Sequence, residues 1–225
     1  MDSTLNTDFS QRVLMNVNEM EWLASPSRTV WRKRFDLMNG EHGRVTSVVR
    51  YDADSSFPAH DHPDGEEILV LDGVFSDEHG DYPAGTYLLN PPGFRHAPFS
   101  RGGCVLFVKL YQYGGQGREH FSIDTNALEW QPGRADGVSF KPLYQHPEHP
   151  ETVALFRIAA GTRVPLHDHP GGEEAYVIDG GIEDEHGACP AGTWLRLPPG
   201  SSHAPFSAEG CTLYVKTGHL AEMVE

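Results

Sequence analysis

The chain has 225 residues, of which 38% are hydrophobic and 22% charged, and its 32 acidic and 17 basic residues give a net charge of -15. This composition is that of an ordinary globular protein and excludes collagen-like, disordered and membrane-spanning classes. The negative charge repels nucleic-acid phosphates and anionic membrane surfaces, so neither is an expected partner. The first residues lack the basic start and apolar run of a secretory signal, and a cytoplasmic location is expected.

The chain is predicted to consist of a short N-terminal extension and two domains of ordinary size. Residues 1–24 form the extension, residues 25–118 the first domain and residues 119–225 the second. The boundary lies in a polar stretch that begins at Gly114, because clusters of glycine and polar residues are typical of linkers.

Within each of the two predicted domains, short apolar and β-branched runs are separated by turn sequences. In the first domain the runs are Arg44 to Tyr51, Ile68 to Leu71, Thr86 to Leu89 and Val105 to Leu110. Runs of this length between Asp-Gly, Pro-Ala-Gly and Pro-Pro-Gly segments predict strands joined by tight turns. No stretch shows the periodicity of an amphipathic helix in both domains. The predicted fold class is therefore all-β, a small barrel or sandwich repeated once.

An internal repeat organises the chain. His60 to Lys109 aligns without gaps on His167 to Lys216 at a constant offset of 107, and 32 of the 50 aligned positions are identical. The simplest explanation is duplication of one domain. Duplicated domains are expected to pack as an internal pseudo-dimer, and a homodimer of the whole chain is left open.

Histidines in the first copy have the spacing of metal ligands. Residues two apart in a strand share a face, so His60 and His62 present two imidazoles side by side. Glu66 follows after a turn that Gly65 permits, and His96 comes from a later strand. Three neutral imidazoles and one carboxylate suit a divalent metal such as zinc, iron, manganese or nickel.

The second copy repeats this ligand set. Its members are His167, His169, Glu173 and His203. These residues could also be surface or core residues that were simply duplicated with the domain. Because all four recur at the same offset, we favour the interpretation that they are metal ligands. One divalent metal per domain is predicted, with zinc as the expected ion. Glu67 and Glu174 directly follow Glu66 and Glu173, and strand alternation from His62 favours Glu66 as the ligand.

These motifs resemble those of the cupin family. His60 to Gly73 matches the first cupin motif, in which two histidines one residue apart precede a glutamate and a glycine, and Gly85 to His96 matches the second. Both motifs recur in the second copy, which implies a bicupin of two tandem double-stranded β-helix, or jelly-roll, barrels. Asp54 stands where the first motif usually opens with glycine, a departure that concerns turn geometry rather than metal binding.

The sequence around the ligands resembles the C-terminal cupin domain of ChrR-type anti-sigma factors. The resemblance rests on Gly65-Glu66-Glu67, on the block Asp77 to Gly80, on Tyr82 to Thr86 and on the ending Gly103 to Leu110. In that family the cupin binds zinc and takes part in the oxidative-stress response, while a separate N-terminal zinc domain captures the sigma factor. This sequence contains no counterpart of that zinc domain. The resemblance therefore implies a role in the stress response or in transcription regulation and leaves sigma-factor binding unsupported.

Two classes of function are compatible with these residues, and the sequence leaves open whether the chain is an enzyme. In the first, a small-molecule ligand or oxidant acts on the metal site of a transcription regulator and alters its interaction with a protein partner. In the second, a non-haem iron dioxygenase cleaves a small diketone-like substrate. No catalytic residue beyond the ligands is evident. A storage or purely structural bicupin is weaker, because both copies keep all four ligands.

Two of the three cysteines, Cys104 and Cys211, fall at equivalent positions of the two copies, and each begins an apolar run. A buried structural thiol is favoured over a redox sensor at both positions.

Overall fold

A computed structural model describes residues 4–40 and 43–224 of the chain. Strands dominate, and the described residues include no α-helix, only short 3-10 turns such as Val17–Glu19 and Ala221–Met223. None of these described turns has the length or apolar character needed to span a lipid bilayer. The predicted all-β fold with two tandem barrels is confirmed.

The chain divides into two compact units. The first comprises Met1–Thr7 and Met20–Ala127, and the second comprises Asp8–Glu19 and Leu128–Glu225. The predicted N-terminal extension is thus divided between the units. Strand β1 (Val13–Asn16) lies in the second unit.

The first unit, the first barrel, is built around two histidine-bearing strands and one large sheet. Its strands are β2 (Leu23–Ala24), β3 (Val30–Leu37), β4 (Val45–Tyr51), β5 (Ser55–Ser56), β6 (His60–His62), β7 (Glu66–Asp77), β8 (Gly80–Pro83), β9 (Thr86–Asn90), β10 (Phe94–His96), β11 (Phe99–Ser100), β12 (Cys104–Leu110) and β13 (Phe121–Asp124). The large sheet has the order β13-β9-β7-β12-β4-β3-β2, and β6 pairs separately with β10.

The second unit, the second barrel, repeats this arrangement strand for strand. Besides β1, its strands are β14 (Gln131–Pro132), β15 (Val138–His146), β16 (His149–Ile158), β17 (Thr162–Arg163), β18 (His167–His169), β19 (Glu173–Asp184), β20 (Gly187–Pro190), β21 (Thr193–Leu197), β22 (Ser201–His203), β23 (Phe206–Ser207) and β24 (Cys211–Thr217). The large sheet has the order β1-β21-β19-β24-β16-β15-β14, and β18 pairs with β22.

Strands β1 and β13 occupy equivalent edges of the two sheets. Strand β13 pairs with β9 and β1 pairs with β21, both antiparallel. Each covers backbone N–H and C=O groups that an open sheet edge would leave without partners. In the second barrel, the Asn16 amide also donates a hydrogen bond to Thr193 Oγ1 at 2.9 Å. The N-terminal segment thus completes the second sheet.

Glycine is required where each long central strand is displaced by a bulge. Gly73 has φ 72° and Gly180 has φ 71°, in the left-handed region that disfavours side chains. A Cβ at either position would overlap the carbonyl oxygen of Gly103 or Gly210 on the neighbouring strand. These are the glycines that end the first motif of each copy.

The departure at Asp54 leaves the turn geometry intact. Asp54 has φ 56°, and Gly161 at the corresponding turn of the second barrel has φ 73°. Aspartate is one of the few residues other than glycine that tolerate this region.

Candidate metal centres

The structure brings the predicted histidine ligands together in two clusters. The first cluster is His60, His62 and His96, and the second is His167, His169 and His203. Within each cluster, one ligand atom from each residue lies within 4.8 Å of the others.

Pairing of two short strands positions the first cluster. The register of β6 and β10 places His60 opposite His96. Two backbone bonds to the His62 carbonyl, from the N–H groups of Gly65 at 3.2 Å and Gly93 at 2.8 Å, hold the turns on either side. Both glycines have positive φ, which these turns require. The same carbonyl thereby fixes the two motifs relative to each other.

The second cluster is positioned in the same way. The register of β18 and β22 places His167 opposite His203. Here the His169 carbonyl accepts the N–H groups of Gly172 at 3.0 Å and Gly200 at 2.8 Å. The scaffold of the ligands is therefore preserved between the copies.

The first glutamate of each Glu-Glu pair faces its cluster. Glu66 Oε2 lies 3.4 Å from His62 Nε2 and 3.5 Å from His96 Nε2. The neighbouring Glu67 instead accepts a hydrogen bond from the Tyr87 hydroxyl at 2.8 Å. Strand alternation separates the two carboxylates.

Glu173 takes the same place in the second barrel. Its carboxylate oxygens lie 3.5 Å from His169 Nε2 and 3.9 Å from His203 Nε2. Glu174 lies on the other side of the strand, 3.2 Å from His219 Nε2.

Hydrogen bonds from Nδ1 orient five of the six imidazoles. The acceptors are Pro58 O for His60 and Pro165 O for His167 at 2.9 Å each, Asp77 for His96 at 3.0 Å, Asp184 for His203 at 3.2 Å and Ser201 Oγ for His169 at 3.3 Å. A proton on Nδ1 leaves a lone pair on Nε2, and such outer partners are typical of metal-binding histidines.

The donor set fits a divalent metal ion. Atoms that bind one ion at about 2.0–2.1 Å lie about 2.9–3.4 Å apart for bond angles between square and tetrahedral. The Nε2 atoms of His62 and His96 are 3.0 Å apart. In the second cluster, His169 Nε2 is buried and makes no hydrogen bond. Buried nitrogen lone pairs that converge with a carboxylate are stabilised by a shared cation.

The surroundings of the two glutamates differ. In the first barrel, the Asn90 amide donates to Glu66 Oε2 at 2.8 Å, and His120 Nδ1 donates to the Asn90 oxygen at 2.9 Å. In the second barrel, Leu197 occupies the position opposite Glu173 that Asn90 occupies opposite Glu66. Glu173 thus lacks the amide donor.

The pKa values of the carboxylates reflect this difference. Burial alone raises the pKa of Glu173 to about 7. Burial also acts to raise the pKa of Glu66, but His62, His96 and the Asn90 amide outweigh it and lower the pKa below its usual value. The carboxyl group of Glu173 is therefore protonated at a higher pH than that of Glu66.

Two imidazoles of the second cluster, those of His169 and His203, have lowered pKa values and are held in the neutral form. Burial, followed by the neighbouring His203 and His167, lowers the pKa of His169 to about 4. Burial also lowers the pKa of His203 despite its hydrogen bond to Asp184. In the first cluster, burial opposes protonation of His96, but the hydrogen bond to Asp77 prevails and raises its pKa.

Arg12 supports the second centre through a carboxylate. Its guanidinium lies 3.0 Å from Asp184, the acceptor of His203 Nδ1. Both carboxylates also accept a backbone N–H, Asp77 that of His79 at 2.8 Å and Asp184 that of His186 at 2.9 Å. In the first barrel, the side-chain partner in place of arginine is the Tyr82 hydroxyl, 3.4 Å from Asp77.

A cavity of about 880 Å³ opens onto the second centre. All four predicted ligands of this barrel line it, together with aromatic and aliphatic side chains that include Phe140, Phe156, Ile158, Val164, Leu213 and Val215. This volume is within the range of sites for small organic molecules.

The equivalent cysteines are buried. Burial raises the pKa of Cys104 to about 11 and also raises that of Cys211. Thiols of this kind react slowly, because the thiolate is the reactive form.

Sequence reasoning missed the residues that support the ligands. Asp77 and Asp184 belong to a block that is identical in both copies, so the repeat itself contained a signal for them. The repeat contains no such signal for Asn90 or Arg12. Asn90 aligns with a leucine in the second copy, and Arg12 lies outside the aligned segment.

Comparison with known families identifies the repeated domain. A family model described as the ChrR cupin-like domain matches residues 10–114 and again residues 118–221. This double match confirms the predicted tandem cupin arrangement. No curated protein sequence matches the chain.

Solved structures of similar fold include proteins of varied description. A "putative dioxygenase" of Nostoc punctiforme has a TM-score of 0.79 at 14% identity, with 94% of this chain and 84% of that chain covered. A variant of Bacillus subtilis oxalate decarboxylase has a TM-score of 0.67 at 12% identity, covering 92% and 77%. A cupin 2 conserved barrel domain protein from Leptotrichia buccalis has a TM-score of 0.60 at 15% identity, covering 91% and 95%. These similarities establish the shared fold.

Proposed function

This chain belongs to the ChrR cupin-like family, and on that premise we propose that it is a zinc-binding bicupin with a regulatory role in the cytoplasm. Each barrel holds one divalent ion through three histidines and one glutamate. A small molecule or oxidant that reaches the ion alters the contact of the chain with a protein partner.

The convergence of the ligands is the observation that carries this proposal. In each barrel three imidazoles and one carboxylate lie close together. All four residues belong to β-strands rather than to loops. Zinc suits such a mixed nitrogen and oxygen set and has no preferred geometry of its own. Outer hydrogen bonds to Asp77 and Asp184 support the ligands in the manner of metal centres.

The regulatory role is supported by the family and by the residues around the centres. ChrR-type cupins are sensory domains, and the Glu174–His219 pair next to the second centre lies on the side of the strand away from the metal ligands. Sigma-factor binding is not part of the proposal, which concerns the two cupin-like domains alone.

A metal-dependent dioxygenase is the second candidate function. The cavity of about 880 Å³ at the second centre favours it, because a substrate there would contact the ion directly. An iron ion bound by these ligands would supply Lewis-acid and redox chemistry toward a small diketone-like substrate. The protein itself would bind the substrate, orient it and exclude water.

Metal identity separates the two functions. The test is elemental analysis of protein purified from its native host without added metal, together with oxygen uptake in the presence of a panel of small diketones. Two zinc ions per chain and no oxygen uptake are expected for the regulator. Bound iron together with substrate-dependent oxygen uptake would contradict the regulatory function and support the dioxygenase. Protein purified without bound metal would overturn both proposals.

A further inference from the structure

We infer that the two centres have different roles: the second binds an apolar organic ligand with one anionic oxygen group, whereas the first is closed to such ligands and serves the structure of its barrel. This inference rests on the proposed metal centres and adds to them the ligand class and the barrel that takes it.

Aromatic side chains pack against the ligands of the first centre. The Phe57 ring centroid lies 5.1 Å from that of His60, and the Phe75 centroid lies 6.1 Å from that of His96. Phe94 packs on His96 from another side at 5.6 Å. Tyr51 completes this group, with its ring edge-on to Phe75 at 5.9 Å.

Smaller side chains occupy the same positions in the second barrel. At the offset of 107 residues, Val164 replaces Phe57, Ile158 replaces Tyr51, Ile182 replaces Phe75 and Ser201 replaces Phe94. Of these, Val164, Ile158 and Ile182 line the cavity of about 880 Å³. The space filled by rings in the first barrel is thus open in the second.

At one position the second barrel has the larger side chain, and this side chain forms part of the cavity wall. Phe156 stands where the first barrel has Val49, and its ring stacks on Phe140 with centroids 6.0 Å apart. Both rings line the cavity. They give it a flat apolar wall that suits an aliphatic chain or an aromatic ring.

The charges of the cavity determine the polar group of the ligand. A divalent ion with Glu173 leaves one net positive charge, since histidine binds a metal ion as the neutral imidazole. Asp184, behind His203, is already paired with Arg12 at 3.0 Å. The remaining charged residues of the lining, Arg134 and Asp168, are exposed. One carboxylate or enolate oxygen on the ligand would neutralise the centre, whereas a polyanion would bring excess charge into an apolar chamber.

The test uses the full chain loaded with cobalt(II), whose visible absorption reports its ligands. Two variants isolate the centres: His96→Ala leaves the second centre and His203→Ala leaves the first. Decanoate is the probe, an apolar chain with one carboxylate. We expect decanoate to change the cobalt spectrum of His96→Ala and to leave that of His203→Ala unchanged.

A wall variant tests the role of the cavity itself. Ile158→Tyr introduces the residue of the first barrel without touching a metal ligand. We expect it to retain cobalt and to bind decanoate more than tenfold more weakly. The matched variant Phe75→Ile, in the first barrel, is expected to leave the response of the second centre unchanged. 1-Decanol, which keeps the chain but lacks the carboxylate, is expected to bind more weakly than decanoate.

The outcomes separate this inference from the proposed function. If cobalt binds but decanoate changes both centres equally or neither, the difference in roles is overturned and the metal centres stand. If Ile158→Tyr keeps full decanoate affinity, the cavity is not the binding site. If cobalt binds to neither variant, the proposed metal centres themselves are wrong.

Discussion

The two barrels share their ligands and differ in what surrounds them. Each has three histidines and a glutamate on equivalent strands, and each places an aspartate behind the last histidine. Around the first set lie aromatic rings and an amide that donates to Glu66. Around the second lie a cavity, a leucine opposite the glutamate and an arginine paired with the aspartate.

This difference shows how a duplicated site can be divided between two tasks. Metal binding constrains the residues that touch the ion and the backbone that positions them. It constrains the walls far less, because a wall residue need only pack. One copy can therefore fill its interior for stability while the other keeps it open for a ligand.

The largest expected effect is on stability and distinguishes the two interiors. Phe75→Ala should lower the free energy of unfolding by about 3–5 kcal/mol, because it removes a fully buried ring. The equivalent change Ile182→Ala should cost nearer to about 2 kcal/mol, because Ile182 already borders a cavity. Urea denaturation of the metal-loaded proteins measures both. Equal losses would mean that the two interiors are equally packed.

A second prediction concerns the outer carboxylates. Asp184→Asn should weaken metal binding at the second centre by about 10–100-fold, because His203 loses the charged acceptor that orients it. Asp77→Asn should act similarly at the first centre. Competition with a chelator, with the other centre removed, measures each affinity. A change of less than about twofold would show that these carboxylates do not support the ligands.

A third prediction uses the pKa of Glu173, which is raised to about 7. A proton competes with the metal for this carboxylate, so affinity at the second centre should fall about tenfold from pH 8 to pH 6. The sign follows from the raised pKa: the proton is held below pH 7 and released above it. Metal titrations of His96→Ala at both pH values measure this fall.

The variant Leu197→Asn sharpens the third prediction. It introduces the amide that Glu66 already has in Asn90, and a donated hydrogen bond favours the ionised carboxylate. The fall in affinity between pH 8 and pH 6 should therefore shrink. An unchanged fall would mean that Glu173 is not the titrating group.

The smallest expected effect is at the cysteines. Because burial raises the pKa of Cys104 and of Cys211, the folded protein should react with iodoacetamide at pH 8 far more slowly than the urea-unfolded protein. Mass spectrometry measures the alkylated fraction over time. Rapid alkylation of either thiol in the folded protein would favour the redox-sensor interpretation.

The features that could be predicted from the sequence are those that recur in both copies or depend on neighbouring residues. Strand alternation led from His60 and His62 to Glu66 rather than Glu67, and the structure places the Glu66 carboxylate beside the histidines. The turn glycines and the all-β pattern followed from local residue preferences, which act over a few neighbouring positions.

Other features depend on contacts between residues distant in sequence and could not be predicted. The pairing of β1 with β21 joins residues about 180 positions apart, as in Val13 with Arg196, and nothing in the short apolar run of β1 indicates its partner. The cavity arises from several exchanges between the copies, such as Val164 at the position of Phe57 and Ile158 at the position of Tyr51. Its volume depends on how these side chains pack together, which the pattern of apolar residues does not specify.

The central claim is that each barrel binds one metal ion through its own ligand set. The most direct test is elemental analysis, after dialysis against metal-free buffer, of the unmodified chain and of the single variants His96→Ala and His203→Ala. We predict two ions per chain for the unmodified protein and one for each variant, because each change removes a ligand from one cluster. Two ions per chain in either variant would contradict the ligand assignment.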